Sequence, residues 1–151
     1  MKKFKMAIMS VLMTTCMVVT PTAPVSASNV TDSGYYIHVN SSSSSFATVD
    51  TRAKQDSTKV YVYITESPTK YTQIRVYGNR NTDIFYNETK GGLAKVLRNQ
   101  KSSITNSIYE NRKSGYSSVT AKLGLRSNSS KTGYVEGVWS PDSTRNYTVV
   151  N

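Results

Sequence analysis

Between residues 59 and 77 the chain sets cationic and aromatic side chains at alternate positions. Lys59, Tyr61 and Tyr63 fall in the run Lys59–Thr65, and Tyr71, Gln73, Arg75 and Tyr77 in the run Tyr71–Tyr77. Rings beside positive charge hold ligands by stacking and by attraction to anions, a chemistry suited to glycans and anionic polymers. The candidate ligand-binding residues are therefore Lys59, Tyr61, Tyr63, Arg75 and Tyr77. Tyrosine is also among the best strand formers, so the same pattern could clothe a sheet with no ligand at all.

Covalent chemistry is poorly provided for. His38 is the only histidine, and its strand-like surroundings supply no partner for acid–base work. Cys16 is the only cysteine. The nine acidic residues are scattered, and only Glu136 and Asp142 lie close together near Trp139, so a two-carboxylate wall hydrolase is the least favoured reading. No Asp-x-Asp-x-Asp calcium loop occurs, and Gly91-Gly92 lacks the frame of a phosphate loop. We expect a non-enzyme with no catalytic residues, no metal site and no cofactor.

The elements that must position these residues begin after a leader. Lys2, Lys3 and Lys5 precede an apolar run from Met6 to Val19, broken by Pro21 and Pro24 and followed by Val25-Ser26-Ala27. That order reads as a secretory signal peptide at 1–27, cleaved after Ala27, with the domain at 28–151. The run is too short to span a bilayer comfortably, so no transmembrane anchor is expected in the mature form. Thr15 before Cys16, with Met17-Val18-Val19 after it, argues against a lipoprotein signal. Removing 27 of the 151 residues takes Cys16 with it, so no disulfide is expected and the fold must rest on its core. Removing three of the 19 basic residues leaves 16 against 9 acidic ones, a net charge of +7. The cations run from Arg52 to Arg145 rather than in one block, a distribution that attracts polyanions at long range. Export argues against nucleic acid as a partner.

Alternation dominates the rest of the chain. Tyr35–Val39 reads as a first strand after an arm at Ser28–Gly34, Phe46–Thr51 as a second, and Asp83–Glu88 as another short one. Val60, Val62 and Ile64 point one way in the clearest strand, and Ile74 and Val76 repeat the pattern after a turn containing Pro68. The two runs read as one hairpin. Leu93–Leu97 fits a helical turn and Ser102–Tyr109 a strand. Val119, Ala121, Leu123 and Leu125 share one face of a further strand, with Gly133–Trp139 returning as its partner and Asn146–Val150 as a candidate last strand. The expected fold is all-β, a single antiparallel β-sandwich of about eight short strands.

Trp139 is the only tryptophan, and it precedes a Ser140-Pro141-Asp142-Ser143 stretch that fits a type I turn. Trp139 and Pro141 are expected to be structural anchors, since an indole buries more area than other side chains. At Gly137-Val138-Trp139-Ser140-Pro141-Asp142-Ser143 the chain resembles a family of small exported Gram-positive bacterial proteins that is a domain of unknown function. Arg52-x-Lys54 and Ile104-x-Asn106-x-Ile108-x-Glu110 extend the resemblance, while Lys113 and Ser114 depart from the pattern. A shared Gly-x-Trp and similar size also make it similar to lactococcin-type bacteriocins. The resemblance implies export and an all-β fold and carries no catalytic residues.

The expected function is that of a secreted binding protein, free or wall-associated, whose partner is an anionic cell-wall polymer or other envelope component. A bacteriocin-like antagonist is one version, and a module that binds protein through a sheet edge is the alternative. The exported form is expected to begin at Ser28 without lipid. Intact mass of the protein from culture supernatant checks this, and a species retaining Cys16 would refute it.

Overall fold

Val60, Val62 and Ile64 do share a buried face, and the same period-two burial recurs through the chain. The computed structural model describes residues 29–151, so the leader and its cleavage point lie outside the described residues. Among these residues eleven strands form, more than the roughly eight expected: β1 (Ser33–Val39), β2 (Ala47–Thr48), β3 (Arg52–Lys54), β4 (Val60–Glu66), β5 (Tyr71–Gly78), β6 (Tyr86–Asn87), β7 (Ala94–Leu97), β8 (Lys101–Ile104), β9 (Val119–Ser127), β10 (Gly133–Ser140) and β11 (Thr148–Val150). One sheet runs β1-β10-β4-β8-β11. The other runs β2-β9-β5-β6, with β3 also on β9 and β7 also on β5. Pairing is antiparallel except where β11 lies parallel to β8. The fold is an all-β sandwich.

The expected hairpins are absent, and this is the main correction. β4 and β5 lie in different sheets, and so do β9 and β10. The chain crosses the sandwich at each of these links, and the crossings satisfy one another. Beside the β4–β5 link, the Arg98 N–H donates to Lys70 C=O at 3.0 Å and the Asn99 N–H to Ile64 C=O at 2.8 Å. Beside the β9–β10 link, the Ser127 N–H reaches Asn40 C=O and the Ser42 N–H reaches Ser129 C=O, both at 2.8 Å. Two crossings side by side thus leave few main-chain groups without partners, which a single one could not do. Alternation fixes which side of a strand faces inward, but it is equally consistent with neighbours in one sheet or in two.

Two further expectations change. Leu93–Leu97 is no helical turn: Ala94–Leu97 is β7, because Val96 and Ala94 pair with Thr72 and Ile74 in the core. The strand expected over Ser102–Tyr109 stops at Ile104. Asn106 Oδ1 accepts the Ile108 N–H at 3.3 Å and bends the chain away, leaving one isolated bridge from Asn106 to Thr89. Ile108 still reaches the core and is fully buried.

Trp139 lies on the inner face of β10 and is 2% exposed, in one cluster with Val62, Ile64, Leu123 and Leu125. Two positions earlier, a Cβ on Gly137 would stand 2.2 Å from the Tyr63 carbonyl oxygen and 2.7 Å from the Tyr35 hydroxyl, where β10 bulges against β4. The bulge therefore requires glycine. Trp139→Ala should cost about 3–5 kcal/mol of unfolding free energy. Urea unfolding checks it, and wild-type emission characteristic of an exposed indole would contradict the burial.

Candidate functional site

Arg52 and Lys54 occupy inward positions of β3, opposite Ala121 and Val119. Lys54 is fully buried there, and its ammonium donates to Thr58 C=O at 2.6 Å, Pro141 C=O at 2.7 Å and Asp142 Oδ1 at 3.1 Å. Three donors meet three acceptors. Burial pushes the Lys54 ammonium below its ordinary range, and the Asp142 carboxylate opposes that shift. Asp142, also fully buried, accepts the Asn29 and Gln55 N–H groups at Oδ2, both at 3.0 Å. Asp56 lies 4.0 Å from the ammonium.

Arg52 completes this knot from the next position in register. Its guanidinium donates to Trp139 C=O at 3.1 Å, Thr31 C=O at 2.6 Å and Asn29 Oδ1 at 2.6 Å, and it sits 5.7 Å from the Trp139 ring centroid. Pro141 is buried. Ser140-Pro141-Asp142-Ser143 is a bend held from outside rather than a self-bonded type I turn: the Ser143 N–H goes to Thr58 Oγ1 at 2.9 Å. The pieces that carried the family resemblance, Arg52-x-Lys54, Asn106 and Trp139–Ser143, converge here, Asn106 Nδ2 lying 3.5 Å from Thr58 C=O. Asp142 is enclosed, its carboxylate taken up by Lys54 and main-chain N–H groups, whereas Glu136 is exposed on β10. Among the described residues no group of three His, Cys, Asp or Glu could hold a metal ion.

The five candidate binding residues do not share a face. Tyr61 and Tyr63 lie on the outside of the β1-containing sheet, with Lys59 just ahead of them. The chain's own C-terminal segment covers this side: Tyr61 is 2% exposed, with Tyr147 at 5.2 Å between ring centroids and Arg145 4.8 Å above its ring. Arg145 is itself paired with Asp32 at 2.8 Å.

Arg75 and Tyr77 lie on the outside of the opposite sheet, and there the fold gathers a group that sequence reasoning missed. Arg75 and Arg126 approach the Phe46 ring at 4.7 and 4.4 Å, and Lys122 approaches Phe85 at 4.0 Å. Tyr77 is opposite Lys122, and Gln73 is opposite both Arg126 and Lys95. Tyr77 packs into the space above Gly124, where a Cβ would come within 2.6 Å of its ring. Among the described residues Arg75, Lys95, Lys122 and Arg126 enter no ion pair, and Arg75 Nε has no hydrogen-bond partner. No acid holds an outward position on β2, β3, β5, β7 or β9. The alternation of Lys122, Gly124 and Arg126 on β9 was the available signal, and the flanking Phe46 and Phe85 carried none.

Lys54→Met and Asp142→Ala should each cost about 3–5 kcal/mol, because each strands a buried charge. The double variant should lose less than the two together, since neither charge then remains alone. Chemical unfolding of all four proteins tests this coupling, and strict additivity would show that the pair does not act as a unit.

No curated protein and no solved structure matches the chain. A match over residues 23–143 does exist to a family described as a protein of unknown function (DUF2712). That span contains β1 to β10 and every residue of the buried knot, and the chain belongs to this family.

Proposed function

We propose that this is a secreted, non-enzymatic protein that binds an anionic polymer of the cell envelope on the outer face of the β5–β9 sheet. The observation that carries the reading is the face itself: Arg75, Lys95, Lys122 and Arg126, in no ion pair among the described residues, interleaved with Phe46, Tyr77 and Phe85. Cations held against rings keep their side chains ordered, so an anion meets a preformed surface. Excess positive charge over the whole chain, +10, supplies long-range attraction. The non-enzymatic part is supported by the enclosure of Asp142 and by His38, which is exposed and packs edge-on against Tyr134 at 5.1 Å. In the bacteriocin-like version, the protein is a Gram-positive product and the polymer belongs to a competing cell.

Two terms should separate in a salt series on purified wall polymer. The charge term weakens with salt, since exposed charges are screened over about 8 Å at physiological ionic strength. Arg75→Ser with Arg126→Ser should flatten the salt dependence. Phe46→Ala and Tyr77→Ala should each weaken retention about two- to fivefold at every salt concentration, equivalent to about 0.5–1 kcal/mol. Lys59→Ser and Tyr63→Ala, on the other sheet, should leave retention unchanged. Equal retention of all the variants, with unchanged melting curves, would discard the proposal.

A further inference from the structure

Among the described residues β1 ends the five-stranded sheet, with β10 on one side and no strand on the other. An edge strand turns alternate N–H and C=O groups outward, a template for another strand. Proteins guard such edges with short strands, lysine, proline or bulges. The other edges here obey that rule: β2, β3, β6 and β11 have two or three residues, and the four-residue β7 carries Lys95. β1 does not. It runs seven residues, Ser-Gly-Tyr-Tyr-Ile-His-Val, with no proline, and among the described strands of four or more residues it alone lacks Lys, Arg, Asp and Glu. A groove of about 440 Å³ runs along it between Ser33–Ile37 and Thr48–Arg52, so its outer side is open among the described residues.

We infer that β1 is a self-association edge, at which two copies of this chain pair antiparallel about a two-fold axis through Tyr36. Charge favours a second copy as the occupant: in so basic a chain most surfaces repel their own kind, whereas β1 itself carries no charge, and across the groove Asp50 and Arg52 are of opposite sign. The register is self-complementary. It sets Tyr36 opposite Tyr36, Gly34 opposite His38, Tyr35 opposite Ile37 and Ser33 opposite Val39, so each bulky exposed side chain meets either its counterpart or the smallest one. Tyr36 is 67% exposed and already stacks on Tyr134, with centroids 4.7 Å apart and planes 6° apart. Pairing would extend that stack into four rings, Tyr134–Tyr36–Tyr36–Tyr134, and cross-strand aromatic pairs stabilise sheets. One strand edge buries less than a standard interface, so the dimer is a reversible one. The axis stands perpendicular to the joined sheet, so both β5–β9 faces look the same way. A polymer would then meet two basic faces at once, with the gain that bivalency gives. The inference goes beyond the polymer-binding proposal and does not depend on it.

The test needs no polymer. In a Cys16→Ser background, an introduced cysteine is the only thiol. Residues directly opposite in an antiparallel pair stand about 4.5–5.5 Å apart at Cα, within disulfide range. Tyr36→Cys should therefore form a linked dimer under mild oxidation. Gly34→Cys alone should not, and a mixture of Gly34→Cys with His38→Cys should. Gly34 tolerates the change, since the nearest atom to an added Cβ is 3.9 Å away. Without substitutions, sedimentation should show a monomer–dimer equilibrium, and Tyr36→Lys should weaken it at least about tenfold by opposing two like charges, with an unchanged melting curve. A wild type that stays monomeric across the concentration series would overturn the inference. So would Gly34→Cys linking to itself as fast as Tyr36→Cys.

Discussion

The ammonium of Lys54, enclosed with the Asp142 carboxylate, governs how this sandwich closes. A lysine on the inward side of a strand would ordinarily bring an unpaired charge into the core. Here its three donors are matched by Thr58, Pro141 and Asp142, and the carboxylate takes main-chain N–H groups from Asn29 and Gln55. One ion pair thereby ties together the entry of the chain, the β3–β4 link and the exit of β10. In a domain expected to lack disulfides, this is a non-covalent tie between segments 88 residues apart. Such a pair adds little stability over well-packed apolar residues, but it punishes misalignment severely, because half of it cannot be buried alone.

That tie sits where Trp139 meets the end of the sandwich, and it explains why Trp139 and Ser140-Pro141-Asp142-Ser143 occur together. Trp139 fills the core, its carbonyl accepts from Arg52, and the bend after it delivers Asp142 to Lys54. The Ser140 hydroxyl lies 2.8 Å from Asn29 C=O and 2.6 Å from Asp142 C=O, with its one proton between two acceptors. The motif is thus a closure device.

With the interior fixed, the two outer faces take different fates. The C-terminal segment folds back over the β4 side, where Tyr147 and the Asp32-paired Arg145 cover the Tyr61 ring, while Lys59 and Tyr63 stay half-buried beside it. On the β5–β9 side it is the 44–46 segment that lies against the strands. Arg75 and Arg126 lie on Phe46 and Lys122 on Phe85, and none of the three pairs with an acid.

Fold class and much of the core were legible in the amino acids alone. Period-two runs such as Val60–Ile64 and Val119–Leu125 can bury one face only as strands, and a lone indole next to a proline bend has little choice but to be buried. Arg75 and Tyr77 were readable as outward residues for the same reason. Which strands are neighbours was settled only in three dimensions. Alternation is a property of one strand, whereas sheet membership depends on main-chain bonds between crossings such as Asn99 to Ile64 and Ser127 to Asn40, distant in sequence. That is why Tyr63 and Tyr77 ended on opposite sides of the molecule. It is also why Lys54, which local pattern reads as an ordinary surface lysine, is fully buried: its partner stands 88 positions away, and only folding brings the two together.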